Sequence, residues 1–358
     1  MQETMATVGP VRGTGEARFL DACHLRQPDC TPVWFMRQAG RCLAEYRAMR
    51  ERYGILEMAK TPELSAQVTL MPVHTFGVDA AVMFADIMIP LEGMNISLEI
   101  QQGGPIIHHP IRTMADVRAL RVIDPPDVQP VLDAIRLVRR ELSGKQAVIG
   151  FSGAPFTLAS YLIEGGPSRT FEKAKGLMYR EPETWDALLS ILSDTVIVYL
   201  KAQIDAGAQA VQVFDSWVGA LGPEEYRRYV QPHTRRIFAA IAETGTPTIH
   251  FGTGNASLLE LMADAGGDLM SVDWRVNLDD AWARIGYDRG IQGNLDGTRM
   301  LAPWPVIEAG MRDVLARADG RAGHIFNLGH GVMPETDPAM LARLVEAVHT
   351  ATVRGVGK

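Results

Sequence analysis

The segment Val148–Gly153, which reads VIGFSG, indicates the fold class because every position is apolar or small. A half-exposed strand would alternate between apolar and polar residues, whereas a strand of a parallel sheet is covered on both faces. Similar short apolar segments recur along the chain and are separated by longer amphipathic segments. This pattern predicts an α/β protein whose parallel sheet is covered by helices.

Eight such segments are predicted to be strands: Pro32–Arg37, Ala80–Asp86, Val148–Gly153, Ala208–Ser216, Pro247–Gly252, Leu269–Trp274, Gly290–Leu295 and His324–His330. Amphipathic segments between them are predicted to be helices: Thr61–Phe76, Pro126–Leu142, Pro182–Ala206, Pro223–Glu243, Asn255–Ala265 and Pro303–Ala318. Eight strand–helix units in 358 residues predict a single (β/α)8 TIM-type barrel. An open doubly wound sheet is the alternative, but no GxGxxG follows the first predicted strand.

Two segments depart from the alternation of strand and helix. Ile87–Ile111 contains two apolar stretches separated by Gly103-Gly104-Pro105, and it predicts a β-hairpin inserted after the second strand. Residues 1–17 are rich in Gly and Thr and predict a disordered N-terminal tail. Residues 18–358 are then expected to form one catalytic barrel domain, because no linker or internal repeat divides them.

The bulk properties exclude several classes of protein. A formal charge of −7 argues against nucleic acid or an anionic membrane as a partner. The chain has no uninterrupted apolar run long enough to predict a transmembrane helix, and residues 1–17 do not resemble a signal peptide. Its three cysteines show no CxxC spacing, which argues against a disulfide framework. We therefore expect a cytoplasmic protein in a reducing compartment.

The end of the first predicted strand carries two arginines, in the sequence MRQAGR over Met36–Arg41. An arginine side chain donates hydrogen bonds in a planar fork that matches carboxylates and phosphates. Arg37 and Arg41, with Gly40 before the second, predict a clamp for an anionic ligand. The structural alternative is that these arginines form ion pairs with the protein's own carboxylates.

Other candidate residues follow from the expectation that barrel chemistry occurs at the C-terminal ends of the strands. Asp86 ends the second strand, Tyr161 follows the third, Ser216 ends the fourth and His330 ends the eighth. Each has a structural alternative: Asp86 and Ser216 could cap a turn, Tyr161 could belong to the core, and His330 could be a hydrogen-bonded turn residue. Their shared position at one mouth favours a site.

The sequence predicts no metal and no organic cofactor. It contains no GxSxG, no HExxH and no P-loop. His250 is a poor candidate for a metal ligand because Gly252 stands where a second ligand would be useful. Arginines, one acid, hydroxyls and a histidine suit an anionic substrate that supplies its own electron sink.

Several stretches closely resemble the uroporphyrinogen decarboxylase family. They are residues 32–41, 84–87, 150–166, 214–216 and 327–331, and the resemblance extends from about Arg18 to about His349. The chain departs from the family pattern at Cys42 and Ala44, where the family usually has Tyr and Pro. These positions lie where the loop enters a helix and bear on the placement of Arg41.

The resemblance implies a carboxy-lyase that removes CO2 from the four acetate arms of uroporphyrinogen III and yields coproporphyrinogen III without a cofactor. It also implies a homodimer with the two mouths facing each other. The substrate-binding residues it implies are Arg37, Gln38, Ala39, Gly40, Arg41, Asp86, Tyr161, Ser216 and His330. The catalytic residues among them are Asp86, Arg37, Tyr161 and His330. The proton donor stays open between Arg37 with a carboxylate partner, Asp86, and a water held by His330.

Two other functions remain as alternatives. A zinc-dependent corrinoid or thiol methyltransferase of related fold would need thiolate and imidazole ligands at the mouth. All three cysteines, however, precede the second predicted strand. A tetrapyrrole carrier without catalytic activity would keep the arginines but would have no reason to keep an acid at Asp86.

Overall fold

A computed structural model describes residues 13–101 and 103–354 and shows a curled parallel sheet surrounded by helices, which resembles a TIM barrel. The strands are β1 Ala80–Val82, β2 Leu98–Gln101, β3 Gly104–Ile107, β4 Ala147–Gly153, β5 Ala210–Asp215, β6 Thr248–Gly252, β7 Leu269–Ser271, β8 Gly290–Leu295 and β9 His324–Leu328. The main sheet has seven strands in the order β1-β4-β5-β6-β7-β8-β9, all parallel. Every residue of β4 is buried, as expected for a strand covered on both faces.

The helices surround this sheet. They are α1 Gly15–Cys23, α2 Ala44–Arg52, α3 Ile55–Lys60, α4 Pro62–Phe76, α5 Ile89–Gly93, α6 Met114–Arg118, α7 Gln129–Leu142, α8 Pro155–Glu164, α9 Glu172–Arg180, α10 Pro182–Ala206, α11 Pro223–Tyr229, α12 Gln231–Ala242, α13 Leu259–Ala265, α14 Leu278–Ile285, α15 Trp304–Ala318 and α16 Pro338–Thr352. The helix predicted over Pro223–Glu243 is divided into α11 and α12. The division falls at Val230, because Pro232 lacks the N–H that a continuous helix would need.

The first predicted strand, Pro32–Arg37, is not a regular strand. Val33 makes a single parallel bridge to Phe326 of β9, and its carbonyl accepts a hydrogen bond from the N–H of Asp79 at 2.8 Å. The N–H of Trp34 donates to the carbonyl of Phe326 at 3.4 Å. Three other N–H groups of the segment donate to side chains: that of Val33 to Asp79 Oδ2 at 2.7 Å, that of Phe35 to Gln38 Oε1 at 3.0 Å, and that of Met36 to Asn327 Oδ1 at 3.1 Å. The segment therefore lies between β9 and the start of β1, where a mixture of backbone and side-chain hydrogen bonds takes the place of a regular ladder.

Several predicted strands end earlier than expected, and the apolar residues beyond them form loops at the mouth. The strand predicted over Ala80–Asp86 ends at Val82, because the N–H of Phe84 donates to Thr69 Oγ1 at 2.8 Å and not to a neighbouring strand. The strands predicted to end at Trp274 and His330 likewise end at Ser271 and Leu328. Candidate residues therefore stand on loops that begin where the strands stop.

The N-terminal tail predicted over residues 1–17 extends too far. Residues 1–12 lie outside the described residues, but α1 already begins at Gly15, with Thr14 Oγ1 accepting a hydrogen bond from the N–H of Ala17. Thr14 is the N-cap of this helix. The Gly- and Thr-rich composition of residues 1–17 did not indicate that a helix begins within them. Arg18 then fixes α1 to the barrel through ion pairs with Asp29 at 2.6 Å and Asp79 at 3.1 Å.

The segment Ile87–Ile111 contains α5 and a small antiparallel sheet of β2 and β3, in which Leu98 pairs with Ile107. This sheet lies beside the end of α8, where the N–H of Ile107 donates to the carbonyl of Gly165 at 2.9 Å. It therefore borders the mouth on the side of α8.

One described helix, α10, is long and apolar enough to cross a membrane by length and composition alone. It packs against α8, α12 and β4, and most of its large apolar side chains are buried there. Packing in the barrel accounts for its apolar composition.

Candidate active site

The loop that carries Arg37 and Arg41 is shaped by a tight turn. Arg37 has a φ of 58°, a left-handed conformation that is uncommon for a residue other than glycine. The buried side chain of Gln38 holds the turn, since its Oε1 accepts from the N–H of Phe35 at 3.0 Å and its Nε2 donates to the carbonyl of Ala80 at 3.0 Å. Both the oxygen and the nitrogen of the Gln38 side-chain amide thus have a hydrogen-bond partner within the protein. The side chain of Gln38 thus has a structural role, and any contact that Gln38 makes with substrate stays a prediction.

The two residues after Gln38 also belong to this turn. Ala39 packs against the apolar core, and a Cβ at Gly40 would lie 2.9 Å from the carbonyl oxygen of Arg37. Only a residue without a side chain fits there comfortably. Ala39 and Gly40 therefore set the spacing between Arg37 and Arg41, and any contact they make with substrate stays a prediction.

The guanidinium groups of Arg37 and Arg41 are exposed, and neither donates to or pairs with any residue that the structure describes. The structural alternative, in which these arginines pair with the protein's own carboxylates, is therefore not observed among the described residues. Arg41 lies close enough to Tyr46 for its positive charge to act on the phenol. Burial raises the pKa of Tyr46, and the charge of Arg41 opposes that rise. Two cations without partners at one mouth are suited to an anionic ligand.

Asp86 lies in the loop after β1 and is half-buried. Its Oδ1 accepts a hydrogen bond from the N–H of Met88 at 2.9 Å. Burial raises the pKa of Asp86 to about 6, and the charge of Glu92 adds to this rise, while the Met88 hydrogen bond and the charge of Arg37 oppose it. The carboxyl group can therefore change its protonation state near neutral pH, as an acid or base in catalysis must.

Tyr161 on α8 faces the same region. Burial raises the pKa of the Tyr161 phenol, the charge of Asp86 raises it further, and the charge of Arg37 opposes the rise. Its ring meets that of Trp217 edge-on, with 5.9 Å between the ring centroids. Ser216, between Trp217 and the end of β5, is half-buried, and its carbonyl accepts a hydrogen bond from Thr253 Oγ1 at 2.6 Å.

His330 lies on the opposite side of Arg37, in the loop after β9. Burial lowers the pKa of the His330 imidazole, the charges of Arg37 and Arg275 lower it further, and the charge of Asp273 opposes them. The imidazole is therefore neutral at pH 7. Arg37 thus stands within electrostatic reach of three other predicted site residues: Asp86, Tyr161 and His330.

Comparison with known proteins identifies the family of the chain. The family model for uroporphyrinogen decarboxylase (URO-D) matches residues 14–351. The chain belongs to the uroporphyrinogen decarboxylase family. The uroporphyrinogen decarboxylase of Carboxydothermus hydrogenoformans is 55% identical over 92% of this chain and 95% of its own length. That of Salinispora tropica is 51% identical over 97% of this chain and 94% of its own length. The chain is therefore an enzyme, a carboxy-lyase.

A solved structure supports the fold. A methyltransferase from Methanosarcina mazei superposes with a TM-score of 0.80, covering 94% of this chain and 99% of its own, at 20% sequence identity. An identity this low establishes a shared fold and leaves the methyltransferase alternative without support. The described residues contain no cluster of three or more His, Cys, Asp or Glu side chains placed to hold a metal ion.

His250 does not reach the mouth. It is fully buried on β6, with its Nδ1 3.2 Å from the carbonyl oxygen of Gly266 and its ring centroid 4.7 Å from that of Phe238. Burial lowers the pKa of His250 to about 4. It is a neutral residue of the barrel wall.

The sequence analysis assigned no role to Asp215, but the structure places it next to Ser216, a predicted site residue. Asp215 is fully buried, and its Oδ1 accepts a hydrogen bond from Thr157 Oγ1 at 2.9 Å. The same Thr157 oxygen accepts from the N–H of Trp217 at 3.3 Å. Asp215 thereby supports the loop that holds Ser216 and Trp217. An acid at the end of a largely apolar strand was the available signal.

Proposed function

We propose that this mouth binds uroporphyrinogen III and removes CO2 from its four acetate arms to give coproporphyrinogen III, without a metal or an organic cofactor. The observation that carries the proposal is the pair of guanidinium groups, on Arg37 and Arg41, that have no partner among the described residues. They stand in a mouth that also holds Asp86, whose pKa is raised to about 6. Family membership supplies the substrate class.

The substrate itself makes a cofactor unnecessary. Protonation of a pyrrole α-carbon gives a cationic ring, and the electron pair of the breaking C–CO2 bond moves into that ring. A second proton then adds to the exocyclic carbon to form a methyl group, and the proton on the α-carbon is lost. Each step therefore consumes one proton and releases one CO2. The protein must hold the macrocycle and stabilise the transient positive charge.

Asp86 is proposed to stabilise that charge. Above about pH 6 its carboxylate is ionised and can accept hydrogen bonds from pyrrole N–H groups in a site where burial limits screening by water. Arg37 and Arg41 are proposed to bind carboxylate arms, each charge-assisted bond contributing roughly 1.5–3 kcal/mol. Charges of both signs are thus present, with the cations directed to the arms and the anion to the ring.

Tyr161, Ser216 and His330 are proposed to complete the contact with substrate. A neutral His330 can hold a water molecule or accept a hydrogen bond, but it is not a cationic acid at pH 7. The candidate proton donors are therefore Asp86, Arg37 with a substrate carboxylate, and a water held by His330. From the family resemblance we also propose that the protein is a cytoplasmic homodimer whose two mouths face each other. Light scattering of the purified protein would test whether it is a dimer.

The deciding experiment follows the purified protein with uroporphyrinogen III and separates the products by their number of carboxylates. We expect hepta-, hexa- and pentacarboxylate intermediates, followed by coproporphyrinogen III. A tetrapyrrole carrier would bind the substrate but release no CO2, and that result would contradict the proposal.

The same assay after dialysis against a chelator tests for a metal. We expect unchanged turnover, because the proposed chemistry uses only protein groups and the substrate's own ring. Activity that is lost on chelation and restored by zinc would overturn the cofactor-free mechanism and favour the methyltransferase alternative.

A further inference from the structure

We propose that Arg275 is a further substrate-binding residue, which holds a carboxylate arm of the tetrapyrrole on the His330 side of the mouth and helps to determine specificity. The inference rests on the proposed function, because it takes a polycarboxylate as the ligand. Arg275 lies in the loop that follows β7, at the C-terminal edge of the sheet where the other site residues stand.

The guanidinium of Arg275 is fixed at one corner. Its Nη1 pairs with Asp273 Oδ2, and the N–H of Arg275 donates to Asp273 Oδ1 at 2.9 Å. Asp273 is itself held by the N–H of Gly254, which donates to Oδ2 at 2.6 Å. The side chain of Asp273 is only 1% exposed, so it provides a rigid anchor.

The flat face of the same guanidinium is fixed by an aromatic ring. The Arg275 guanidinium carbon lies 4.0 Å from the ring centroid of Trp274, a distance typical of cation–π stacking. The loop after β9 passes close to the backbone of Trp274, since a Cβ at Gly329 would lie 2.5 Å from the Trp274 backbone nitrogen. Anchor and ring together hold the fork in one orientation.

This fixed group lies beside the site. The rings of Trp274 and His330 meet edge-on with 6.4 Å between centroids, and the charges of Arg275 and Arg37 both lower the pKa of the His330 imidazole. Arg275 therefore adds a further cation to the part of the mouth that holds His330.

The donors of Arg275 that face solvent remain available. Its Nε and Nη2 donate to no residue that the structure describes, and its side chain is 51% exposed. Asp273 and the ring of Trp274 already hold these two N–H groups in place. They therefore lose little conformational entropy when both donate to one carboxylate. Uroporphyrinogen III carries four propionate arms in addition to its four acetate arms, so its carboxylates outnumber the two guanidinium groups of Arg37 and Arg41.

The test measures kcat and KM for Arg275→Gln and Arg275→Lys with uroporphyrinogen III and with each isolated intermediate. We expect Arg275→Gln to raise KM about tenfold while kcat changes by less than about threefold, because binding is lost and not the chemistry. Arg275→Lys keeps the charge beside the buried Asp273 but not the fork, so it should raise KM by a smaller factor without changing Tm.

Arg343→Gln is the matched control. Arg343 stacks over Trp304 with the same 4.0 Å separation, but it lies on α16 and away from the mouth. A rise in KM that is equal at all steps would identify a propionate as the arm that is bound, and a rise that changes as acetates are removed would identify an acetate. Wild-type KM at every step for both Arg275 variants, or an equal rise in Arg343→Gln, would overturn the proposal.

The result that would contradict the proposed function is distinct from the result that would contradict a role for Arg275. A wild-type protein that does not release CO2 contradicts decarboxylation and leaves the role of Arg275 to be decided by binding. The dissociation constant for uroporphyrin III, measured by quenching of tryptophan fluorescence, should then rise in Arg275→Gln and not in Arg343→Gln. Equal constants in wild type and Arg275→Gln would overturn the inference there too.

Discussion

The side chain of Arg37 packs directly against the α-carbon of Gly331. A Cβ placed on Gly331 would lie 2.8 Å from Cγ and 3.0 Å from Cβ of Arg37, closer than such atoms pack. The two loops are also joined by their backbones, since the N–H of Val332 donates to the carbonyl of Met36 at 2.9 Å. Gly331 thus determines where the first arginine of the mouth can point, although it carries no functional group.

Gly331→Ala should therefore impair catalysis without unfolding the protein. The φ of Gly331 is not in the left-handed region, so alanine fits its backbone, and the added methyl group should instead displace Arg37. A displacement of about 1 Å at a positioned group can cost on the order of 10² in rate. The measurement is kcat/KM for uroporphyrinogen III together with Tm.

Gly297→Ala is the control for that substitution. A Cβ at Gly297 would meet nothing closer than 3.7 Å, although this residue also lies beside the loop after β9. We expect near wild-type activity from it. If Gly331→Ala were equally active, the contact with Gly331 would not position Arg37 for catalysis.

Asp86→Asn should leave folding intact and lower the rate of the first decarboxylation by on the order of 10² to 10³. The variant keeps an oxygen for the N–H of Met88 but loses the charge proposed to stabilise the cationic ring. In the wild type kcat/KM should fall as the pH drops through about 6, because protonation of Asp86 removes the same charge. Near-normal turnover of Asp86→Asn would remove this residue from the mechanism.

Glu92→Gln checks the origin of that pH dependence. The charge of Glu92 contributes to the raised pKa of Asp86, so its removal should shift the acidic limb of the profile to lower pH. Glu92 pairs with Lys60 at 2.8 Å, at the surface, and is not part of the proposed mouth. An unshifted limb would assign the titration to another group.

Asp215→Asn should stabilise the protein increasingly as the pH rises. Burial raises the pKa of Asp215 to about 7, whereas an unfolded aspartate titrates near 3.9. Between these values the folded state binds more protons than the unfolded state, so the contribution of Asp215 to stability falls as the pH rises from about 4 to about 7. The variant escapes this loss, on the order of 2–4 kcal/mol at neutral pH.

Urea unfolding of both proteins from pH 4 to pH 8 would measure this effect. The difference in unfolding free energy, variant minus wild type, should increase up to about pH 7 and then level off. Asp288→Asn, at an exposed position, supplies the baseline. A difference independent of pH would show that Asp215 is ionised in the folded protein throughout the range.

Most of the fold could be predicted from the sequence, because seven of the eight segments predicted to be strands each overlap a strand of the parallel sheet. The prediction of a regular strand over Pro32–Arg37 is wrong, because the N–H groups of Val33 and Met36 donate to side chains that are distant in sequence. Asp79 and Asn327 lie 46 and 291 residues from the groups they bind. The hydrophobic pattern correctly predicts that this segment is buried. It does not predict which group accepts the hydrogen bond of each N–H.

The ends of strands were harder to predict for a related reason. Met83, Phe84 and Ala85 continue an apolar run, so the strand was predicted to reach Asp86, yet the N–H of Phe84 is taken by Thr69 of α4. Arg37, Asp86 and His330 could still be placed at one mouth, because strand order in a parallel barrel fixes which loops meet. Arg275 could not, since its significance comes from a fixed orientation on Asp273 and Trp274.

Arg37→Lys and Arg41→Lys should each weaken catalysis although both keep the positive charge. Lysine offers a compact charge and cannot reproduce the two-pronged hydrogen bonding of a guanidinium to a carboxylate. The expected loss in kcat/KM is about tenfold or more for each variant, from the lower end of the range for one charge-assisted bond. The rates of all four decarboxylation steps would be measured on isolated intermediates.

The dependence on step identifies the arms that the arginines bind. If Arg37 and Arg41 hold acetates, the loss should change as acetates become methyl groups, and if they hold propionates it should stay constant through all steps. Arg26→Lys is the control, because Arg26 is exposed and pairs with Asp21 at the surface. Wild-type rates at every step in both variants would mean that the two guanidinium groups do not bind substrate, and the absence of protein partners for them would then need another explanation.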